Sequence, residues 1–463
     1  MTLQLTTRRV AIAAVVTLVA ALYLADLTGM GLVSKDEPRY ADIGRAMSKT
    51  GDWITPRLWG EPWFEKPPLL YWLIALGFKA GLGPDLAPRL PLALSSLAFL
   101  AFFWFRVRAV WDDRVATFST GILATTAGWL ALSHVSITDI PVSALFTAAV
   151  LLALEGRRTP SAAALGLAVL AKSLPPLVLF LPVLAVDYRN WREWVRPVPI
   201  LVFAAVAVPW HVAAFVRNGS EFIRILFIQQ QFGRFFSPER QHPQRWWFYL
   251  PVLLLLLYPW FPLLAFAARD WRDKRTRTLL AVVVFGMLFF SSSLNKLPAY
   301  VLPLIPATCI LIAVGVARTG QPKPAIALVV ALLGVLPFAR IVVPVALGIG
   351  LGSAPLPWDD LAWGLGAAAT VGISLLLLPK NGAIGVVSFG VVLGLVSFGF
   401  LWFQLATFPL IDRFASARPV WRQQRPRCVP EADRGSLYGL QYYAGGLLPY
   451  CNVLDQTQAP VVR

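Results

Sequence analysis

The chain has 463 residues, 57% of them hydrophobic and only 14% charged, with a mean hydropathy of +0.65. Soluble domains carry roughly 25% charged residues, so a soluble globular fold is excluded and a polytopic membrane protein is implied. A formal charge of +17 would suit a nucleic-acid binder only if the bases gathered in a soluble basic domain. None exists, and cytoplasmic loop charges with affinity for anionic lipid headgroups explain the excess.

In chain order, Arg8-Arg9 precede an apolar stretch over 10–28. No small-x-small cleavage pattern follows it, so it reads as a retained first helix rather than a secretory signal. A dense charged patch comes next. "SKDEPRYADIGRAM", residues 34–47, holds the adjacent acids Asp36 and Glu37 with the bases Lys35, Arg39 and Arg45. Further apolar stretches lie at 86–105, 115–132, 138–154, 161–172, 174–187, 197–216, 248–268, 279–293, 298–317, 324–347, 361–379 and 383–404. The expected fold is therefore an all-α polytopic membrane protein with about thirteen transmembrane helices. Pro175-Pro176 marks a tight turn between two short spans.

Residues 67–82 are apolar but only about 16 long, below the roughly 20 needed to cross. Loop charge decides their role. If they do not cross, Arg106, Arg157, Arg189, Arg272 and Lys323 share the N-terminal bases' side, the cytoplasm by the positive-inside rule. The segment therefore reads as an interfacial juxtamembrane helix in the first outer loop. The loops at 29–85 and 217–247 then face outward. The domain reading is a transmembrane catalytic domain over 1–404 and a small periplasmic C-terminal domain over 405–463. Cys428 and Cys451 in that tail are candidates for a disulfide in an oxidising compartment.

This topology collects polar residues on one face: Asp36, Glu37, Arg39, Glu65, Lys66, Asp139, Lys172, Arg234, Lys296 and Tyr300. Each has a plainer reading. Asp139 could N-cap its helix, Lys172 could snorkel to the interface, Arg234 could be a solvated loop charge, and Glu65-Lys66 could be a surface ion pair. His134 and His211 read as packing residues, and the sequence has no spaced His/Cys ligand set, so no metal and no cofactor is expected. Co-location favours chemistry. Fixed cations hold a phosphate and meet the charge that develops on it, while a carboxylate activates or orients the nucleophile.

At these residues the chain resembles a known family. "DEPRYADIGRAMSKTGDWITPRLWGEPWFEKPPLLYWL", followed by "PRLP", is similar to the first outer loop of bacterial aminoarabinose transferases and related polyprenyl-phosphate-sugar glycosyltransferases. These belong to the membrane GT-C class, with the protein O-mannosyltransferases. "ITDIP", "LAKSLPPLVLFLP", "QQQFGRFFSPE" and "NKLPAYVLPLIPA" follow in family order. The resemblance implies catalytic roles for Asp36 and Asp139, a donor-phosphate contact for Lys66 of the "EKPP" pair, and further carrier contacts at Arg234 and Tyr300, with Lys172 beside them. It departs at Gln229, Gln230 and Gln231, where family members often carry histidine. The tail after Phe408 is also shorter than in the aminoarabinose enzymes. The implied activity is transfer of a sugar from an undecaprenyl or other polyprenyl monophosphate donor to lipid A, another glycolipid or a polysaccharide. Transfer would occur at the periplasmic face of the inner membrane, with membrane lipid and no nucleic acid as partner. The rival reading is a secondary transporter or lipid-linked sugar flippase. Transporters usually keep their charges near the midplane within repeated halves, and no repeat is seen here.

Overall fold

The computed structural model describes residues 14, 16–233, 235, 242–267, 269–319, 323–377, 386–429 and 434–451. Regular structure is almost wholly helical; among the described residues the only named strands are the short pair Arg57–Leu58 and Glu61–Pro62. Each apolar stretch expected to span carries helix. Six of these helices are long and apolar enough to cross a membrane. The pair Asp113–Ala124 and Ala127–Ser133, bent by 59°, makes a possible seventh. The molecule is thus a multi-pass helical membrane protein.

Length explains why fewer helices meet that standard than the sequence suggested. Asp139–Leu154 and Arg158–Lys172 extend only about 22–24 Å at 1.5 Å per residue, against roughly 30 Å of hydrocarbon. The 248–268 stretch is broken into Tyr249–Leu256 and a 3-10 turn, Phe261–Phe266. Breaks of this kind are tolerated where neighbours take up the freed backbone groups. At the 113–133 bend, Thr125 Oγ1 donates to the Gly121 carbonyl at 2.7 Å and accepts from Trp260 Nε1 at 2.9 Å. The Ala127 amide bonds the Tyr258 carbonyl at 2.8 Å.

The 29–85 segment is packed, not pendant. Its helices Asp36–Thr50 and Leu69–Lys79 put Tyr40, Ile43, Met47, Tyr71 and Ile74 into the same buried cluster as the spans. Glycine permits the close approach: a Cβ on Gly44 would lie 2.4 Å from Ile74 Cγ2, and one on Gly77 2.3 Å from the Ala87 carbonyl oxygen. The eleven residues of Leu69–Lys79 reach only about 16 Å, too short to cross.

Ion pairs sort to the two ends of the bundle. At one end Arg106 meets Glu155, Arg158 and Lys274 meet Asp187, and Arg318 meets Asp270. At the other lie the 29–85 segment and the C-terminal segment. The last long helix runs to Ala415, past position 404. Two short helices follow, Arg418–Gln424 and Arg434–Ala444, and a disulfide joins Cys428 to Cys451 with a Cα–Cα distance of 5.0 Å.

Candidate active site

Asp36 and Glu37 open the Asp36–Thr50 helix, where carboxylates favour the positive end of the helix dipole. Successive helical residues point about 100° apart, so the two acids part company. Glu37 is fully buried and forms a two-pronged pair with Arg89, itself fully buried, at 2.8 Å to Nε and to Nη2. The Glu37 carboxylate also accepts from the amides of Val33 at 2.8 Å and Ser136 at 3.0 Å. Arg89 in turn donates to the carbonyls of Leu27, Met30 and Gly31. Glu37, expected to touch substrate, is thereby committed to joining the 29–85 segment to the 133–139 junction.

Asp36 stays partly exposed and pairs with Arg39. Arg39 reaches Glu65 as well, at 3.4 Å, and lies against the rings of Trp63 and Tyr438 at 5.4 and 5.1 Å. Burial by itself would lower the Arg39 pKa, but the charges of Glu65 and Asp36 outweigh it and hold the guanidinium above its ordinary value. Burial pushes the phenols of Tyr40 and Tyr71 up, and the same carboxylates add to the effect. Neither tyrosine is suited to act as a base.

Asp139 and Lys172 meet for a reason of simple geometry. The helices Asp139–Leu154 and Arg158–Lys172 form an antiparallel hairpin turning at Gly156, so the first residue of one lies beside the last of the other. The N-cap residue, Thr138, makes no side-chain cap hydrogen bond; the Asp139 carboxylate binds the Lys172 ammonium. Lys172 sits at the negative end of its helix and also approaches the Tyr300 ring at 4.9 Å. The next residue, Ser173, has φ +64. That is a left-handed conformation costing a β-carbon residue on the order of 1–3 kcal/mol and found disproportionately at functional sites. Pro175 then starts the following helix at its first position.

Lys66, buried beside Glu65, and Lys172 open onto one cavity of about 260 Å³. Tyr300, Gln230 and Asn295 supply further polar groups, and the remaining wall is largely apolar, with Phe146 and Leu179 among its side chains. Two cations in a largely apolar chamber match a phosphate joined to a hydrocarbon chain. Lys296 is placed differently from its neighbours. Its Nζ donates to the carbonyls of Gln244, at 3.0 Å, and Ser293, bracing the stretch before Trp246 against the 293–297 turn. Arg234 lies outside the described residues. Among those described, no group of three or more His, Cys, Asp or Glu could hold a metal.

Several residues escaped the sequence reading. Arg89 had a signal: in "PRLP" it directly precedes a 21-residue apolar helix, where an arginine needs a partner. Tyr438 had none, because Arg39 lies hundreds of positions away, and for Arg418 only nearby Asp412 could have been guessed, not Asp85. Arg418 pairs with Asp85 at 3.0 Å and Asp412 at 2.9 Å and donates to the carbonyls of Thr28 and Gly29.

The fold places the chain in a class of solved helical membrane proteins. The chain matches the solved structure of ArnT from Cupriavidus metallidurans bound to undecaprenyl phosphate with a TM-score of 0.76 at 23% identity, over 96% of this chain and 86% of that one. In sequence it resembles undecaprenyl phosphate-alpha-4-amino-4-deoxy-L-arabinose arabinosyl transferase 2 of Pseudomonas fluorescens, 34% identical over 61% of this chain and 52% of the relative. The corresponding arabinosyl transferase of Pseudomonas aeruginosa is 32% identical over 61% of this chain and 55% of its own length. The matched region thus spans about half the length of these relatives. Residues 65–213 also match the dolichyl-phosphate-mannose-protein mannosyltransferase family.

Proposed function

We propose that this chain is a glycosyltransferase of the bacterial inner membrane. It moves a sugar from a polyprenyl, in particular undecaprenyl, monophosphate carrier to lipid A or a related envelope glycolipid at the periplasmic face. The observation that carries this reading is the pair of lysines, Lys66 and Lys172, at one cavity with otherwise largely apolar walls. The names of the relatives support a 4-amino-4-deoxy-L-arabinose donor. About thirteen helical passes, with 1–404 as catalytic domain, 405–463 as periplasmic tail and the first loop outside, complete the architecture.

The chemistry is a displacement at the anomeric carbon. An acceptor oxygen forms the new bond to that carbon, and the bond from carbon to phosphate oxygen breaks. The electron pair leaves with the lipid phosphate, whose added charge Lys66 and Lys172 stabilise. The acceptor proton passes to Asp36, held by Arg39 beside Glu65; an acceptor ionised at a phosphate oxygen needs no base. Asp139 orients Lys172, and Tyr300 borders the same chamber.

The test is transfer by the purified chain in lipid nanodiscs, given undecaprenyl-phosphate-linked 4-amino-4-deoxy-L-arabinose and lipid A, with products read by mass spectrometry. Pentosamine-modified lipid A is expected from the wild type and none from Asp36→Asn, which should insert and unfold normally. Full activity in Asp36→Asn would remove that acid from the mechanism. A wild type inert towards this donor and other polyprenyl-phosphate sugars would overturn the reading.

A further inference from the structure

The Asp36–Thr50 helix uses one arrangement twice. Asp36 pairs with Arg39 and Asp42 with Arg45, each acid three residues before its arginine and so on the same side of the helix. Each arginine also lies against a tyrosine of the C-terminal helix Arg434–Ala444. Arg39 sits 5.1 Å from the Tyr438 ring, and Arg45 4.4 Å from that of Tyr442. The two tyrosines are four residues apart and share a face. Their seat is fixed by close contacts. Arg45 donates to the Tyr442 carbonyl at 2.9 Å, and the Tyr442 hydroxyl donates to the Pro84 carbonyl at 2.6 Å. A Cβ on Gly439 would lie 2.7 Å from that of Ala417, so the helix rests directly on its neighbour.

The two arrangements differ in what they leave open. Tyr442 is fully buried and the Asp42 side chain only 13% exposed, which makes that set a structural lock. In the other, the Asp36 side chain is 32% exposed while that of Arg39 is 8% exposed. The acid can therefore meet a reactant while the cation that holds it is enclosed. Arg39 has two carboxylates to serve, Asp36 and Glu65, and its Nε donates to the Lys35 carbonyl at 2.9 Å. A planar guanidinium stacks on aromatic faces, and a ring within about 6 Å attracts it. Tyr438 supplies such a ring, itself backed by Trp59 at 5.5 Å between centroids. We propose that Tyr438 is a positioning residue: by holding the Arg39 guanidinium, it fixes the Asp36 carboxylate in the place where the acceptor proton is taken. This rests on the reading of Asp36 as the acid that receives that proton. The donor phosphate is left to Lys66 and Lys172, so losing the ring acts on turnover and not on donor binding.

The experiment measures steady-state transfer and thermal midpoints of the full chain in nanodiscs, with the donor and lipid A used above. Tyr438→Phe keeps the ring, Tyr438→Leu keeps apolar bulk without it, and Tyr442→Leu removes the structural counterpart. Tyr438→Leu is expected to lower kcat roughly 3- to 30-fold, with the KM for donor within about twofold of wild type. Its midpoint should lie well above that of Tyr442→Leu, and Tyr438→Phe should restore kcat to within about twofold. Arg39→Met should be at least as slow as Tyr438→Leu, and adding the leucine to it should cost little more, because the ring acts through the arginine. Five results would each overturn the proposal while the glycosyltransferase reading stands. They are wild-type kcat in Tyr438→Leu, a Tyr438→Phe as slow as Tyr438→Leu, a loss confined to the donor KM, a midpoint as low as that of Tyr442→Leu, and an Arg39→Met faster than Tyr438→Leu. Full activity in Asp36→Asn, or an inert wild type, would instead overturn that reading and the proposal with it.

Discussion

Asp36 and Glu37 are neighbours with opposite fates, and the difference can be tested one residue at a time. The Glu37–Arg89 pair is wholly buried and joins three segments. Removing one partner leaves an uncompensated charge, at a cost of about 3–5 kcal/mol. Arg89→Met is therefore expected to lower the unfolding midpoint and reduce yield, whereas Asp36→Asn should leave the midpoint near wild type. Similar midpoints for the two variants would contradict the division of labour. Lys66→Ala and Lys172→Ala should each lower turnover by about 100- to 1,000-fold, the loss seen when one preorganised charge-stabilising donor is removed. Steady-state rates within a few-fold of wild type would make either lysine a bystander. Sequence could place both acids at the mouth of the first span. It could not say which one turned inward, because that depends on Arg89, 52 positions away. Asp139 and Lys172 were more legible, since two short helices joined by a turn at Gly156 bring their outer ends together.

Among elements, the apolar runs announced the helices, and the shortness of 67–82 announced a helix that does not cross. Its seat against the Asp36–Thr50 helix depends on Gly44, and its approach to the Ala87 carbonyl on Gly77, a matter of shape that hydropathy does not record. The C-terminal segment was legible only as a tail with two cysteines. Its docking is invisible to local pattern: Tyr443 accepts from the Leu32 amide, 411 positions away, and Arg45 donates to the Tyr442 carbonyl across 397. The disulfide closes a separation of 23 residues, and constraining a loop of that size contributes about 3 kcal/mol in the chain-entropy picture. Cys428→Ser is expected to lower the melting temperature and to slow transfer, because Tyr438 covers Arg39 from the segment that the disulfide secures. A variant that melts and turns over like wild type would show that the non-covalent contacts suffice to hold the segment.

For the whole molecule, the central matter is which end faces out. The two-acid site requires that Asp36 and Asp139 reach the same side. Glu37 bonding the Ser136 amide at 3.0 Å ties their two segments together. Cys309 is buried and Cys428 and Cys451 are joined, so single cysteines can be added to the otherwise native chain. With an impermeant thiol reagent on intact cells, Gly51→Cys should label, while Arg157→Cys and Asp270→Cys should label only after the membrane is opened. Labelling of the latter two on intact cells would reverse the orientation or separate the acids. The number of passes was less readable than the sorting of charge. Short helices blur the count, while the arginine-rich turns still sort to one end.

The clasp between the two ends of the chain also imposes an order on how the protein is made. The Gly31 amide waits for Asp412, at 2.7 Å, and the Leu32 amide for Tyr443, at 2.8 Å. The helix bearing Asp36 leaves the ribosome nearly 400 residues before the tyrosine that covers Arg39. A partly synthesised chain already in the bilayer therefore carries Arg39 and its partner acids without the ring that covers them. That cover arrives only when the 434–444 helix has been delivered to the same side of the membrane.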